Sequence, residues 1–312
     1  MDKRVESSKN RKLSKENKTK ILMAVIVLGV IIVFGVKFFI DSDFFIIRNI
    51  EQSGNSAFIN MELDSDKFDI LMRNGIRYLF VDIGGINDNG RILLEENDSR
   101  KFLNFVSEFE AKKGYNFILV PYSEIDSNYN INLGYFQDNF IQDYLYLYIL
   151  GFDGILVNIN SVKLEDRNAY LNFIKRIYEE FPMIATVAIS TEDINYGNNE
   201  SKWDIEFYKK VSEYSDLLLT KLFDSEINNQ PDYKEFVKEQ MREISSINLK
   251  VPVLLIVPTQ KHFPETIENA LNAYKEGLKE NSNRPIRGVV VLYEFTDDDE
   301  WRTFREKLFE ED

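Results

Sequence analysis

Gly151-Phe152-Asp153-Gly154-Ile155-Leu156-Val157-Asn158-Ile159-Asn160 is the stretch on which the fold turns. After Gly154 the chain is apolar except for two amides, the length and character of a strand covered on both faces. Asn158 and Asn160 donate and accept hydrogen bonds, but neither carries an ionisable proton.

Runs of the same kind recur on either side. They are 77–82, 117–120, 154–159, 184–189, 217–220, 253–257 and 288–293, each rich in Val, Ile and Leu. Helical patterns separate them. Phe102, Phe105, Val106 and Phe109 share one face, closed by Gly114, and Ile267, Leu271, Tyr274 and Leu278 do the same after Pro264. Pro231 opens another helix, Tyr144 to Tyr148 fall inside one, and Thr296 with Asp299 resembles a capping pair. Strands alternating with helices across short connections specify an α/β architecture with a parallel sheet.

Seven clear strands beyond residue 40 suit a (β/α)8 TIM-type barrel whose remaining strand is obscure. A doubly wound open sheet is the alternative. Gly84-Gly85-Ile86-Asn87-Asp88-Asn89-Gly90 does not fit the dinucleotide fingerprint, however, and no P-loop appears. The barrel is expected over 64–312, with 41–63 as a stalk or linker that includes a turn at Gln52–Ser56 and a first strand or barrel-bottom segment.

The N-terminus supplies a different signal. Residues 1–20 hold eight basic and three acidic side chains, a net charge of +5. Ile21 to Val36 is unbroken apolar sequence, followed by Lys37 and then Phe38-Phe39-Ile40. This reaches the roughly 20 residues a transmembrane helix needs, with Lys37 free to snorkel. The basic flank puts 1–20 in the cytoplasm and the barrel outside the cell membrane. A cleaved signal peptide would have a shorter core and a small-residue cleavage site, and no such site follows Val36. A single-pass signal anchor over 21–40 is therefore expected.

Composition removes whole classes of chemistry. With no cysteine there is no disulfide, thiol nucleophile or Cys-based zinc site, and with His262 alone there is no poly-His metal site. His262 precedes Phe263-Pro264 and reads as a loop residue. No metal and no cofactor is expected. Taking the tail's +5 and Lys37 from the chain's −14 leaves −20 for residues 38–312. A surface that acidic argues against nucleic acid as a partner. Carboxylate chemistry remains, or none.

The segment from Asp153 resembles the D-G-x-D-x-D-x-E signature of glycoside hydrolase family 18, the chitinase-like (β/α)8 barrels. It is most similar to a bacterial, often membrane-anchored group of family 18-like glycosyl hydrolases whose strand reads D-G-V-H-L-D-I-E-P-V. Here that segment is Asp153-Gly154-Ile155-Leu156-Val157-Asn158-Ile159-Asn160-Ser161-Val162. In the family the final Glu protonates the leaving oxygen and the preceding Asp helps hold the acetamido group. The resemblance thus implies that Leu156, Asn158 and Asn160 stand where acids stood. Lys221-Leu222-Phe223-Asp224 looks like the family's M-x-Y-D, with Phe223 in place of the acetamido-binding tyrosine, Asp224 retained and Lys221 facing the barrel mouth.

Candidate catalytic carboxylates are Asp153, Asp224, Glu124 and Glu294. Candidate ligand-binding residues are Asp82, Tyr122, Lys221, Tyr293 and Phe295, the aromatic ones as platforms for the C–H face of a sugar ring. Trp203 and Trp301 read as helix packing. A Schiff-base role for Lys221 needs a depressed pKa, and simple pairing with Asp153 or Asp224 is the plainer reading.

The expectation is a membrane-anchored, extracytoplasmic barrel, inactive as an enzyme, that binds a polysaccharide or an envelope protein. One alternative is an active glycosidase on cell-wall or N-acetylated polysaccharide, using relocated carboxylates such as Asp153 with Glu124 or Glu294. The other is a structural component of an envelope complex.

Overall fold

The computed structural model describes residues 54–62, 67–93, 98–111, 117–159, 162–181, 184–188, 203–223, 225, 227–247, 249–259, 262–280, 285–293 and 296–309. The proposed tail and membrane anchor, together with most of the stretch read as a stalk, lie outside them. Among the described residues no helix is long and apolar enough to cross a membrane.

Among the described residues eight strands alternate with eight α-helices. The order is β1 (Asn55–Asn60), α1 (Phe68–Arg73), β2 (Ile76–Asp82), α2 (Asp98–Ala111), β3 (Ile118–Ile125), α3 (Gly134–Ile149), β4 (Ile155–Ile159) and α4 (Arg167–Glu180). It continues with β5 (Ile184–Ala188), α5 (Ile205–Ser212), β6 (Leu217–Lys221), α6 (Gln230–Ser246), β7 (Val253–Ile256), α7 (Ile267–Glu280), β8 (Ile286–Leu292) and α8 (Asp298–Phe309). Every neighbouring pair is parallel, and β1 pairs with both β2 and β8, so the sheet closes as a barrel. The open sheet is thereby excluded.

Two boundaries differ from expectation by more than two residues. The obscure strand is β1, inside the stretch read as a stalk with a first strand or barrel-bottom segment; the barrel therefore begins at Asn55, not at residue 64. Its sequence, Asn-Ser-Ala-Phe-Ile-Asn, is half polar and so lacks the continuous apolar signal of its neighbours. The third strand was expected to stop at Val120 but runs on through Pro121 to Ile125, with Pro121 opposite Val81. Proline has no N–H for the ladder and therefore reads as a stop.

Strand alternation sorts the apolar side chains into two layers. One set, including Leu79, Val81, Ile155, Val157, Leu218, Leu255 and Val289, packs outward against the helices. Phe102, Phe105, Val106 and Phe109 of α2 and Tyr144 and Leu147 of α3 meet it from the other side. The other set fills the barrel: Tyr78, Phe80, Val120, Leu156, Leu219, Leu254 and Val290, all buried. Burying each such side chain contributes roughly 1.5–3 kcal/mol. Most of the tyrosine run in α3 is packing, as read, though Tyr146 is 40% exposed.

Side chains cap the N-termini of α5, α6 and α8. At α8 the box is Asp297 with Glu300, not Thr296 with Asp299: the Glu300 N–H donates to Asp297 Oδ1 at 2.9 Å and the Asp297 N–H to Glu300 Oε2 at 3.0 Å. Thr296 instead donates its hydroxyl to the Leu292 carbonyl at 2.8 Å. Both patterns fit the same stretch of sequence, and the β8 exit places Asp297 at the cap.

Candidate functional site

In a parallel barrel the side chains that point inward on the last turn of each strand meet at the C-terminal mouth. The register pairs show which these are. Asp82 of β2 lies opposite Asn60 of β1 and Tyr122 of β3; Tyr122 lies opposite Leu156, and Glu124 opposite Asn158 of β4. On the far side Lys221 of β6 faces Ile256 of β7, and Leu292 of β8 faces Phe58 of β1. Phe58, Asp82, Tyr122, Glu124, Asn158, Lys221, Phe223, Ile256 and Leu292 line one cavity of about 460 Å³, walled on one edge by Gly84 and Gly85.

The floor is aromatic and apolar. Phe58 lies edge-on to Tyr122, ring centroids 5.1 Å apart, and 5.1 Å from the buried Phe80 ring below it. The Gly84–Gly85 wall is the start of the β2–α2 loop. Gly84 takes a φ of +96°, open to glycine at little cost, and its N–H donates to Asp82 Oδ1 at 2.9 Å. Further along, the loop is strapped to α3. Arg91 pairs with Asp143, whose other oxygen accepts the Ile92 N–H at 3.0 Å, and Asn139 donates to the Asn89 carbonyl at 2.9 Å. The Gly-rich stretch that failed as a dinucleotide motif thus builds one edge of the cleft.

The polar groups divide by side. Asp82 and Glu124, both exposed, stand on β2 and β3. Asn158, half-buried, follows on β4 and makes no side-chain hydrogen bond to the described residues. Across the barrel the half-buried Lys221 holds its Nζ 5.5 Å from the centre of the Phe223 ring. Leu156, directly below Asn158, is fully buried among apolar neighbours. The inward positions described on β4 therefore present one alkyl group and one amide, and neither can exchange a proton.

Of the expected site residues, Asp82, Tyr122, Glu124, Asn158, Lys221 and Phe223 are brought together. Asp224, Asn160, Glu294 and Phe295 lie outside the described residues. Two are elsewhere. Asp153 precedes β4, at the opposite end of the barrel from the cleft: its Oδ2 accepts the Leu119 N–H at 2.7 Å while its own N–H donates to the Leu119 carbonyl at 2.8 Å. It therefore forms no acid/base pair with Glu124 and no ion pair with Lys221, and its role is to splice the start of β4 onto β3. Tyr293, one step past inward-facing Leu292, points out of the barrel. It packs against Trp301 of α8 at 5.9 Å, and burial first, then the Asp298 charge, raises its hydroxyl pKa.

Phe58, Ile256 and Leu292 were missed in the sequence. Alternation from the ends of 253–257 and 288–293 was enough to place the last two. Phe58 belongs to the strand whose polar composition hid it. His262 is an exposed loop residue bridging to Glu265. Trp203 and Trp301 are both buried.

No protein-family model matches the chain, and no curated relative does. Solved structures do match in fold. The chitinase of Chromobacterium violaceum superposes with a TM-score of 0.59 at 11% identity, covering 82% of this chain and 99% of that one. The Bacillus cereus spore cortex-lytic enzyme SleL gives 0.56 at 13%, covering 82% and 74%. YKL-39, solved in the presence of chitooligosaccharides, gives 0.57 at 9%, covering 83% and 100%. The fold is that of the chitinase-like (β/α)8 barrels.

Proposed function

We propose that this protein is a catalytically silent, chitinase-like barrel that binds glycan in the cleft at its C-terminal mouth. The observation that carries the reading is β4. Its inward positions are Leu156 and Asn158, so the described part of the strand offers the cleft no acid. Most glycosidases use a proton donor on one side of the scissile bond and a carboxylate on the other, and a substrate-assisted one still needs the proton donor. The cleft nonetheless keeps what sugar binding asks for. Phe58 and Tyr122 offer flat apolar surface, and Asn158 offers an amide with both donor and acceptor capacity. YKL-39, a barrel of the same fold solved with chitooligosaccharides, fits this reading.

The basic tail and the apolar segment Ile21–Ile40 extend the proposal to location: a signal anchor that holds the barrel on the outer face of the cell membrane. Membrane fractionation with and without Ile21–Ile40 tests that part.

For the site, the purified protein is offered chitin oligomers and peptidoglycan fragments, with binding and product release followed together. Binding without hydrolysis is expected. Hydrolysis that disappears in Glu124→Gln or Asp82→Asn overturns silence. It would favour a second reading, motivated by the exposure of both carboxylates to the same cavity: an active glycosidase whose acid pair sits on β2 and β3 rather than on β4.

A further inference from the structure

Building on the glycan-binding reading, we infer that Lys221 anchors a carboxylate on the bound sugar, so that the cleft selects acidic sugars over neutral ones. Its three charged groups are not equally satisfied. Asp82 and Glu124 are exposed, and water solvates an exposed carboxylate well. Lys221 is half-buried on the opposite side. Ile256 is its register partner and the Phe223 ring lies beside its Nζ at 5.5 Å. A ring face attracts an ammonium but does not neutralise it. Among the described residues no carboxylate lies within ion-pair distance of Nζ, so Lys221 is a half-buried cation that no described side chain neutralises.

The position also limits the ligand. Nζ is carried at the inward C-terminal end of β6, across the cavity from Asp82 and Glu124. A group bearing one negative charge gains most by lying toward β6 with its ring over the apolar floor. A densely anionic polymer would bring charge against the two carboxylates, and the barrel's acidic surface repels it further. The chemistry that fits is one carboxylate per sugar unit, separated by uncharged residues.

Calorimetric titration of the full-length protein in detergent micelles tests this with three probes. These are a hyaluronan tetrasaccharide (alternating uronate and N-acetylamino sugar), neutral chitotetraose and a cationic chitosan tetramer. The hyaluronan fragment is expected to bind tightest and to weaken as salt is raised. Lys221→Met should cost it about tenfold or more, weaken chitotetraose far less so that the preference for the acidic fragment is lost, and be substantially rescued by Lys221→Arg. Near-UV circular dichroism establishes that each variant is folded, and Lys221→Gln replaces Lys221→Met if the latter is not. Equal binding of hyaluronan and chitotetraose, or indifference of hyaluronan to Lys221→Met, overturns the inference and leaves glycan binding standing. Tightest binding of the chitosan tetramer does the same and shifts the selecting role to Asp82 and Glu124. Binding of none of the three overturns both readings.

Discussion

Glu124 on β3 and Asn158 on β4 are register partners, and both face the cleft. The amide therefore stands one strand away from a solvent-exposed carboxylate, with the aromatic edge of Tyr122 one inward step below Glu124 on the same strand. This arrangement separates binding from chemistry experimentally. If the cleft only binds, Asn158→Ala should weaken chitotetraose by about three- to tenfold through lost neutral hydrogen bonds. Glu124→Gln should leave that affinity within about twofold. Titration calorimetry on both variants distinguishes the two effects.

Asp153 holds β4 to β3 through both its carboxylate and its own N–H. Asp153→Ala leaves the Leu119 N–H without that acceptor and is expected to cost about 1–3 kcal/mol in urea unfolding. Ligand affinity should be untouched, because the residue lies at the other end of the barrel. A loss of affinity without loss of stability would contradict its placement.

Introducing an acid at Leu156 should create no activity. Leu156 is fully buried in the barrel interior, opposite Tyr122. Leu156→Asp places a carboxyl there without a designed partner, with an expected cost of about 3 kcal/mol or more and no gain of hydrolysis. Thermal unfolding together with an oligosaccharide assay checks both halves.

Two glycines should respond differently to alanine. Gly90 has a φ of +80°, and a Cβ there would collide with the Phe136 carbonyl, which is fixed backbone. Gly90→Ala is expected to lose about 1–3 kcal/mol and to loosen the loop edge of the cleft. At Gly277 the new Cβ would meet the Met241 sulfur at 2.5 Å, the flexible part of a side chain that can swing aside. Gly277→Ala should cost less, and parallel denaturant curves give the order.

Asp204 caps α5 by accepting the Phe207 N–H at 2.8 Å and pairs with Arg167, whose guanidinium lies over the Phe207 ring. Burial would raise its carboxyl, but the Phe207 N–H and Arg167 outweigh that and hold it below its ordinary 3.8. Because the folded carboxyl is the more acidic, its contribution is complete above about pH 4 and is lost as pH falls through the depressed value. The Tm gap between the natural protein and Asp204→Asn should thus be widest at neutral pH and shrink in acid. A gap that widens in acid would reverse the sign of the linkage.

Seven of the eight strands and the helices between them were readable because each announces itself locally, by a continuous apolar run or a 3.6-residue stripe. β1 was not, since half of its residues are polar and its status as a strand rests on pairing with β2 and β8. The inward direction of Lys221 followed from alternation along one strand. Asp153 and Tyr293 were misplaced for a related reason: nearness to a strand in sequence says neither which end of the barrel a residue occupies nor which face it takes.

Residue identity alone excluded cysteine chemistry and left positions 156 and 158 without an ionisable group, because the absence of cysteine and the presence of Leu156 and Asn158 hold in any conformation. Which groups meet was decided only by closure of the sheet, where parallel register and barrel curvature carry side chains from β1, β2, β3, β4 and β6 to one mouth. Local sequence encodes the strands singly. The separation of Lys221 on one side of the cleft from the carboxylates of Asp82 and Glu124 on the other exists only once β8 has returned to β1.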